Sequence, residues 1–162
     1  MLTQLQSLPT KIDGRYATDH ELKFTQDYLQ VVRLRFATYQ KLQTLEQEIV
    51  NEVYKRMMAK HPNLLKRSQG DLSVKWKKDT LRVLRYSATA MLLNDETWLK
   101  EKLLLWFETI MRAFGAEESC YVTYELMQAV VEERLSTEEF NLFQPILKLN
   151  QTILGNLQPQ AA

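Results

Sequence analysis

The sequence predicts an all-α protein, and three observations support this class. Only four Gly and four Pro occur in 162 residues, and long segments with helical hydrophobic spacing lie between them. The hydrophobic fraction of 45% is enough for the core of one domain. Two segments, Thr18 to Glu21 and Ser136 to Glu139, match the capping box that begins a helix. We expect about seven or eight helices, including a short N-terminal helical arm.

The chain divides into an arm at residues 1–17, one domain at residues 18–155 and a flexible tail at residues 156–162. No Gly or Pro interrupts residues 18–60, and a single helix there would be about 60 Å long. That length exceeds the usual size of such a domain, so we expect a bend or break between Gln26 and Arg35. The segment His61-Pro62 should end the helical region, because a residue before proline avoids the α conformation.

Residues 71–95 form the central predicted helix. Asp71 is the expected N-cap, and Asn94-Asp95 should end this helix and begin the next. The following helix should reach Phe114-Gly115, where glycine suits a left-handed helix end. A further helix is expected to open near Ser119. In the last helix, Pro145 should introduce a kink or a division, and Gly155 should end it.

Several classes of function lack support in the sequence. It has no glycine-rich phosphate loop, nucleophile elbow or ligand-spaced His/Cys cluster, so we expect neither catalysis nor a metal site. Haem binding would need a histidine in residues 96–114, which contain none, while His20 and His61 lie at predicted helix ends. The lone Cys120 excludes an internal disulfide and fits a small buried side chain better than a nucleophile. No transmembrane segment and no convincing signal peptide is present.

The formal net charge of +1 hides a division along the chain. Residues 55–85 hold ten Lys or Arg against two Asp, a balance of +8, whereas residues 95–139 hold four against eleven, a balance of −7. These segments are either solvated helix faces or complementary patches that guide assembly with another subunit. Nucleic-acid binding is not expected, because no recognised DNA-reading motif accompanies the basic segment.

The central helix carries an ordered pattern: Lys78-Asp79, then Leu84-Arg85, then Asp95. This pattern resembles the phycobilisome protein family, whose subunits carry Cys-x-Arg-Asp, a Leu-Arg and an Ala-Gly-Asp on the same helix. The segment Asp13-Gly14-Arg15-Tyr16 also resembles the N-terminal pattern of that family, and Phe114-Gly115 matches its Leu-Gly. The resemblance implies a globin-like phycobilisome-type fold.

The resemblance also implies a tetrapyrrole pocket that lacks the cysteine for covalent attachment of the pigment. In the family the cysteine bonds an open-chain bilin, the arginine binds a propionate and the aspartate accepts pyrrole N–H groups. Here Trp76 stands at the cysteine position, Lys78 replaces the arginine and Asp79 is retained. We therefore expect no covalent bilin. Trp76, Lys77, Lys78, Asp79 and Arg82 are candidate contacts for a non-covalent tetrapyrrole. Alternatively, Trp76 fills the space and Asp79 pairs with Lys75 or Arg82 on an ordinary helix.

Candidate partner contacts follow from the same resemblance. Residues matching Asp13 and Arg85 help to tie two subunits in relatives, and Trp106 stands where relatives usually have Gly. An outward Trp106 or Leu105 would form a protein-binding patch.

We thus expect a non-catalytic protein that acts through contacts with a phycobiliprotein-like or photosystem-related subunit, or as a homodimer. Its role would be in assembly, regulation or turnover of the cyanobacterial photosynthetic apparatus. The alternatives are a non-covalent tetrapyrrole carrier and, less well supported, a lyase or chaperone that delivers such pigments. The expected location is the cytoplasm, including the cytoplasmic face of the thylakoid membrane.

Overall fold

The structure, a computed structural model, describes residues 1–67 and 70–156. The predicted tail lies outside these residues except for residue 156. Helices α1 (Leu2–Ile12), α2 (Asp19–Lys60) and α3 (Ser73–Leu93) come first. Helix α4 (Glu96–Leu99), a π-helical segment (Lys100–Leu104) and α5 (Leu105–Ala113) follow as one continuous helix. Helices α6 (Glu117–Glu132) and α7 (Thr137–Leu154) complete the described chain. The all-α prediction is confirmed, with six continuous helical units in the described residues.

The break expected between Gln26 and Arg35 is wrong. Helix α2 runs unbroken through 42 residues, because nothing in its sequence removes a backbone hydrogen bond. The predicted capping box begins it: the Thr18 hydroxyl accepts from the Glu21 N–H, and the Glu21 carboxylate accepts from the Thr18 N–H. Helix α7 is likewise one helix, with Pro145 inside it. These two undivided helices explain why fewer helices form than expected.

The boundaries around the central helix differ slightly from prediction. Leu72 rather than Asp71 is the N-cap of α3, although the Asp71 carboxylate accepts the Ser73 N–H at 2.8 Å. Asn94 ends α3 in the left-handed conformation, and the Asp95 carboxylate caps the next helix by accepting the Trp98 N–H, as expected. Helix α6 begins two residues before Ser119. Gly115 has a φ of +57°, consistent with a glycine helix end.

A short antiparallel strand pair precedes α3. Strand β1 (Lys66–Arg67) pairs with β2 (Gly70–Asp71), with Lys66 opposite Asp71. Strands of only two residues are too short for an alternating hydrophobic pattern, so they were not predicted. This pair lies in the connection between α2 and α3.

The core lies among α2, α3, α6 and α7, which pack against one another. Each contributes large, fully buried side chains spaced by three or four residues; examples are Ile49, Met57, Leu84, Met91, Met127, Phe143 and Leu147. Buried Arg35 joins α2 to the end of α3 by donating to the Met91 carbonyl at 2.5 Å and to Asn94 Oδ1 at 3.0 Å. The packing places the first turns of α3 beside α5 and α6.

Candidate functional site

A cavity of about 350 Å³ opens between the start of α3, the end of α5 and the start of α6. Leu64, Leu65 and Leu72 line one side, where the connection after α2 passes. Phe107 and Met111 of α5 line another. The remaining wall comes from α3 and α6. A volume of this size lies within the range of small-molecule sites, and largely apolar walls with a few polar groups are typical of them.

Trp76 points into this cavity and is fixed in place. Its side chain is half-buried, and the indole N–H donates to Thr123 Oγ1 on α6 at 3.0 Å. The ring also packs against Tyr54 of α2, with centroids 5.8 Å apart. Thr123 can accept from Trp76 because its own hydroxyl donates to the Ser119 carbonyl at 2.6 Å. The indole therefore occupies part of the space between α2, α3 and α6.

Asp79 lies one helical turn after Trp76 and lines the same cavity. Its carboxylate has no hydrogen bond or ion pair with any described residue. Burial raises the pKa of this carboxyl, although the charges of Lys75, Arg82 and Lys78 act in the opposite direction. The alternative that pairs Asp79 directly with Lys75 or Arg82 is therefore not what the structure contains.

The other three candidate pocket residues lie away from the cavity lining. Lys77 turns toward α2, where Nζ donates to Asn51 Oδ1 at 3.1 Å and lies 4.4 Å from the centre of the Tyr54 ring. Arg82 lies over Trp106, 5.3 Å from the ring centre, and Lys78 is exposed. Successive helical residues are about 100° apart, so residues 77, 78 and 82 do not all share the face of residues 76 and 79.

Three titratable residues that line the cavity, Lys75, Cys120 and Tyr124, were not among the candidates. Lys75 is exposed at the cavity mouth, with Nζ 4.7 Å from the centre of the Phe114 ring. Cys120 and Tyr124 reach the cavity from α6, one turn apart. Burial, the charge of Glu117 and that of Asp79 raise the pKa of Cys120 to about 12, so its thiol is uncharged at neutral pH. No sequence signal relates residue 120 to residue 79, because only the packing of α6 beside α3 brings them together.

A sequence model described as phycobilisome protein matches residues 10–152. The chain belongs to the phycobilisome protein family. The match includes the helices around the cavity. A search of curated proteins finds no match.

The candidate partner residues Asp13 and Arg85 lie at the end of α1 and on α3, respectively. Asp13 is exposed at the end of α1 in a left-handed conformation. Arg85 borders a second cavity of about 240 Å³ between α2 and α3, and it donates to Glu46 through Nε at 2.7 Å and Nη2 at 2.6 Å. Trp106 and Leu105 both face outward, since the π-helical segment turns Leu103 and Leu104 into the core.

Large apolar side chains are exposed along α1 and the first half of α2. Leu5 lies on α1, Tyr16 in the turn after it, and Leu29 and Phe36 on α2. Tyr16 is 96% exposed and Phe36 is 54% exposed. Helix α1 itself buries no residue and is held by Thr3, whose N–H and hydroxyl donate to the Asp95 carboxylate at 2.6 and 2.9 Å. This apolar surface is therefore available to another protein.

The described residues contain no group of three or more His, Cys, Asp or Glu side chains placed to hold a metal ion. None of the described helices combines the length and the apolar character needed to cross a membrane.

Proposed function

We propose that this family member is a non-catalytic, phycobiliprotein-like protein without a covalent bilin. It would act through protein contacts in the assembly, regulation or turnover of the cyanobacterial photosynthetic apparatus. The observation that carries the proposal is the inward, hydrogen-bonded Trp76. At the position where the family resemblance implies a bilin-bonding cysteine, this chain has a side chain that forms no thioether and fills part of the space.

The contact surface supports a protein partner. Exposed Tyr16, Leu29 and Phe36 form apolar area near the arm, and Arg85 stands beside an open groove between α2 and α3. The partner we propose is a phycobiliprotein-like or photosystem-related subunit, or a second copy of this chain. The location we propose is the cytoplasm, including the cytoplasmic face of the thylakoid membrane.

Association can be tested by sedimentation velocity over a concentration series, alone and mixed with phycobiliprotein subunits. We expect Asp13→Lys to weaken association, because the family resemblance implies a bond from Asp13 to the arginine matching Arg85 in a partner. Glu46→Gln should strengthen it, since Arg85 would lose its competing partner in the same chain. Glu125→Lys, an equal charge change at an exposed position on α6, is the matched control.

Unchanged sedimentation of Asp13→Lys and Glu46→Gln relative to the parent protein would contradict this interface. A loss of association in Glu125→Lys of the same size as in Asp13→Lys would instead show a general effect of charge.

A second candidate function is non-covalent binding of a bilin or chlorophyll-type tetrapyrrole. It is favoured by the Asp79 carboxylate, which lines the cavity without a protein partner among the described residues and could accept pyrrole N–H groups. Volume counts against it. A cavity of roughly 150 Å³ holds one benzene ring, so about 350 Å³ encloses about two rings and leaves half of a tetrapyrrole outside.

The pigment candidate is tested by the visible spectrum of protein purified from a pigment-making host, before and after denaturation in acidic urea. Colour that separates from the chain supports this candidate, whereas a colourless protein supports the protein-contact function. Colour that stays with the chain contradicts both. Trp76→Cys, treated with a bilin lyase, tests whether the rest of the pocket can still accept a covalent bilin.

A further inference from the structure

The solvent-facing side of α3 carries three cations outside the ion pairs of the fold. Lys75, Lys78 and Arg82 are exposed, and none of them forms an ion pair with any described residue. Helical residues three and four positions apart lie on one face, so these three side chains share a face of α3. Arg56 and Arg134, by contrast, are bound to glutamates of the same chain. The first half of α3 therefore presents positive charge to the surroundings.

The neighbouring helix does not cancel this charge. Residues 73–93 hold five Lys or Arg against one Asp, a balance of +4, and residues 100–113 hold three against two Glu, a balance of +1. The one Asp is Asp79, which is half-buried on the cavity wall. On α5, Glu108 is bound to Arg112 at 2.6 Å. Such an excess of Lys and Arg on one side of a protein attracts anionic surfaces.

Two exposed aromatic rings at α5 lie against these cations. The Arg82 guanidinium is 5.3 Å from the centre of the Trp106 ring, and Lys75 Nζ is 4.7 Å from the centre of the Phe114 ring. The Trp106 indole N–H donates to the Lys102 carbonyl at 3.0 Å, which fixes the ring against its own helix. The two rings are eight residues apart in the chain, about 12 Å along a helix, so the two pairs form an elongated strip.

The strip has the composition of a surface that lies on an anionic membrane. We define the basic-aromatic strip as Lys75, Lys78, Arg82, Trp106 and Phe114. Lys and Arg gain free energy near a negatively charged bilayer, and aromatic side chains favour the level of the headgroups. Val74 and Leu105, the chain neighbours of two strip residues, add exposed apolar side chains. Protein interfaces are instead dominated by anchors that fill enclosed pockets, whereas the strip residues all lie on the outside of the fold.

We propose that the basic-aromatic strip docks this chain on an anionic lipid bilayer. The three cations face the lipid phosphates, and the two rings enter the headgroup region. This inference names the residues for the proposed location at a membrane surface. It does not rest on the protein-contact function, because the interface tested there involves Asp13 and Arg85. Vesicle binding and sedimentation with partner subunits can therefore fail separately.

The probe is a vesicle made of equal parts of phosphatidylglycerol and phosphatidylcholine, and vesicles of phosphatidylcholine alone are the matched control. The full chain is mixed with sucrose-loaded vesicles, which are then sedimented, and the bound fraction gives the partition coefficient. We expect partitioning at least about tenfold stronger for the anionic vesicles, because several cations act together. Raising the salt from about 0.1 M to 1 M should weaken it, since the screening length falls from about 10 Å to 3 Å.

Variants assign the contacts. Lys78→Gln should weaken partitioning about fivefold, the effect of removing one charge near an anionic surface. Lys148→Gln, at an exposed position on α7, is the matched control. Trp106→Ser should weaken partitioning at least about threefold, because less apolar area leaves water. Tyr121→Ser is its control, since Tyr121 is 40% exposed on α6 and Trp106 is 38% exposed. Melting temperatures of all variants separate lost binding from lost folding.

Three results would overturn membrane docking by this strip. They are no binding to the anionic vesicles at low salt, equal partitioning into phosphatidylcholine vesicles, and equal losses in Lys78→Gln and Lys148→Gln. Unchanged partitioning of Trp106→Ser would overturn the entry of the rings. A chain that leaves vesicles unbound but binds an acidic protein or duplex DNA, with a loss in Lys78→Gln, would overturn the membrane and assign the strip to that partner.

Discussion

Trp76 joins the central helix to α6 by a directed bond as well as by packing. Its N–H donates to Thr123 at 3.0 Å, and its ring packs against Tyr54 with the ring centres 5.8 Å apart. Replacement by phenylalanine would keep an aromatic ring between α2 and α6 but remove the donor. Thr123 would keep its own bond to the Ser119 carbonyl, so no donor would be left unpaired.

We therefore expect Trp76→Phe to lower the free energy of unfolding by about 0.5–1.5 kcal/mol, the usual net contribution of one hydrogen bond. Chemical denaturation followed by circular dichroism measures this. Val74→Ala is a suitable control, because Val74 precedes Trp76 on the same helix and is exposed. A loss above about 3 kcal/mol would instead indicate that packing of the whole indole, and not the bond, dominates.

Asp79 destabilises the fold in its charged form. Burial raises its pKa, so the folded chain holds the proton more tightly than the unfolded chain does. The stabilising effect of protonation is present at low pH and is lost as the pH rises through the folded pKa. A carboxyl with a raised pKa and no ion pair among the described residues, on the wall of a cavity, is an arrangement typical of a residue kept for binding.

Asp79→Asn should consequently raise the melting temperature at pH 7 and have a smaller effect near pH 3, where aspartate is largely protonated. Differential scanning calorimetry across this range measures the difference. Asp27→Asn, at an exposed position on α2, is the matched control and should change neither value. A lower melting temperature of Asp79→Asn at pH 7 would show that the carboxylate stabilises the folded chain.

Among the elements, α2 shows best where sequence reasoning succeeded and where it did not. Its start was predicted from its capping residues and its end from His61-Pro62, because these signals act on the local backbone. The expected break came from an argument about domain size, and no residue between Gln26 and Arg35 enforces one. The π-helical segment Lys100–Leu104 was not predicted, since an extra residue in one turn leaves the hydrophobic pattern readable as an ordinary helix.

A proline substitution tests the continuity of α2. Gln30 is exposed and helical at the middle of the expected break, so it has no packing to lose. Gln30→Pro should lower the free energy of unfolding by about 3 kcal/mol or more, because proline removes a backbone bond and collides with the preceding turn. Gln30→Ala should be neutral or slightly stabilising. If Gln30→Pro unfolds at the same denaturant concentration as Gln30→Ala, the helix is interrupted there in solution.

At the scale of the whole molecule, some of the charged residues form ion pairs within the chain and are not left for a partner. Arg56 of the basic segment donates to Glu133 of the acidic segment at 2.8 and 2.6 Å, and Lys41 meets Glu139 at 2.8 Å. The sequence showed where these charges lie but not which of them pair, because the paired residues are 77 and 98 positions apart. For the same reason, Cys120 and Tyr124 could not be predicted as site residues from the sequence. Trp76 and Asp79 could, because they belong to a local motif.

These ion pairs predict the response of the fold to acid. Bonds from Arg56 lower the pKa of Glu133, and bonds from Lys41 and from the Ser136 N–H lower that of Glu139. A carboxyl with a lower pKa in the folded chain adds stability above its unfolded pKa of about 4.3, and this stability is lost as the pH falls below that value. The melting temperature should therefore fall steeply between about pH 5 and pH 3.

Glu139→Gln should make this fall shallower, because one carboxyl with a lowered pKa no longer titrates and the capping glutamine can still accept the Ser136 N–H. Glu125→Gln is the matched control, since Glu125 is exposed on α6 and forms no ion pair with any described residue. Circular dichroism melting curves of both variants and the parent protein measure the slopes. Equal slopes for Glu139→Gln and Glu125→Gln would mean that the pair between α2 and α7 does not form in solution.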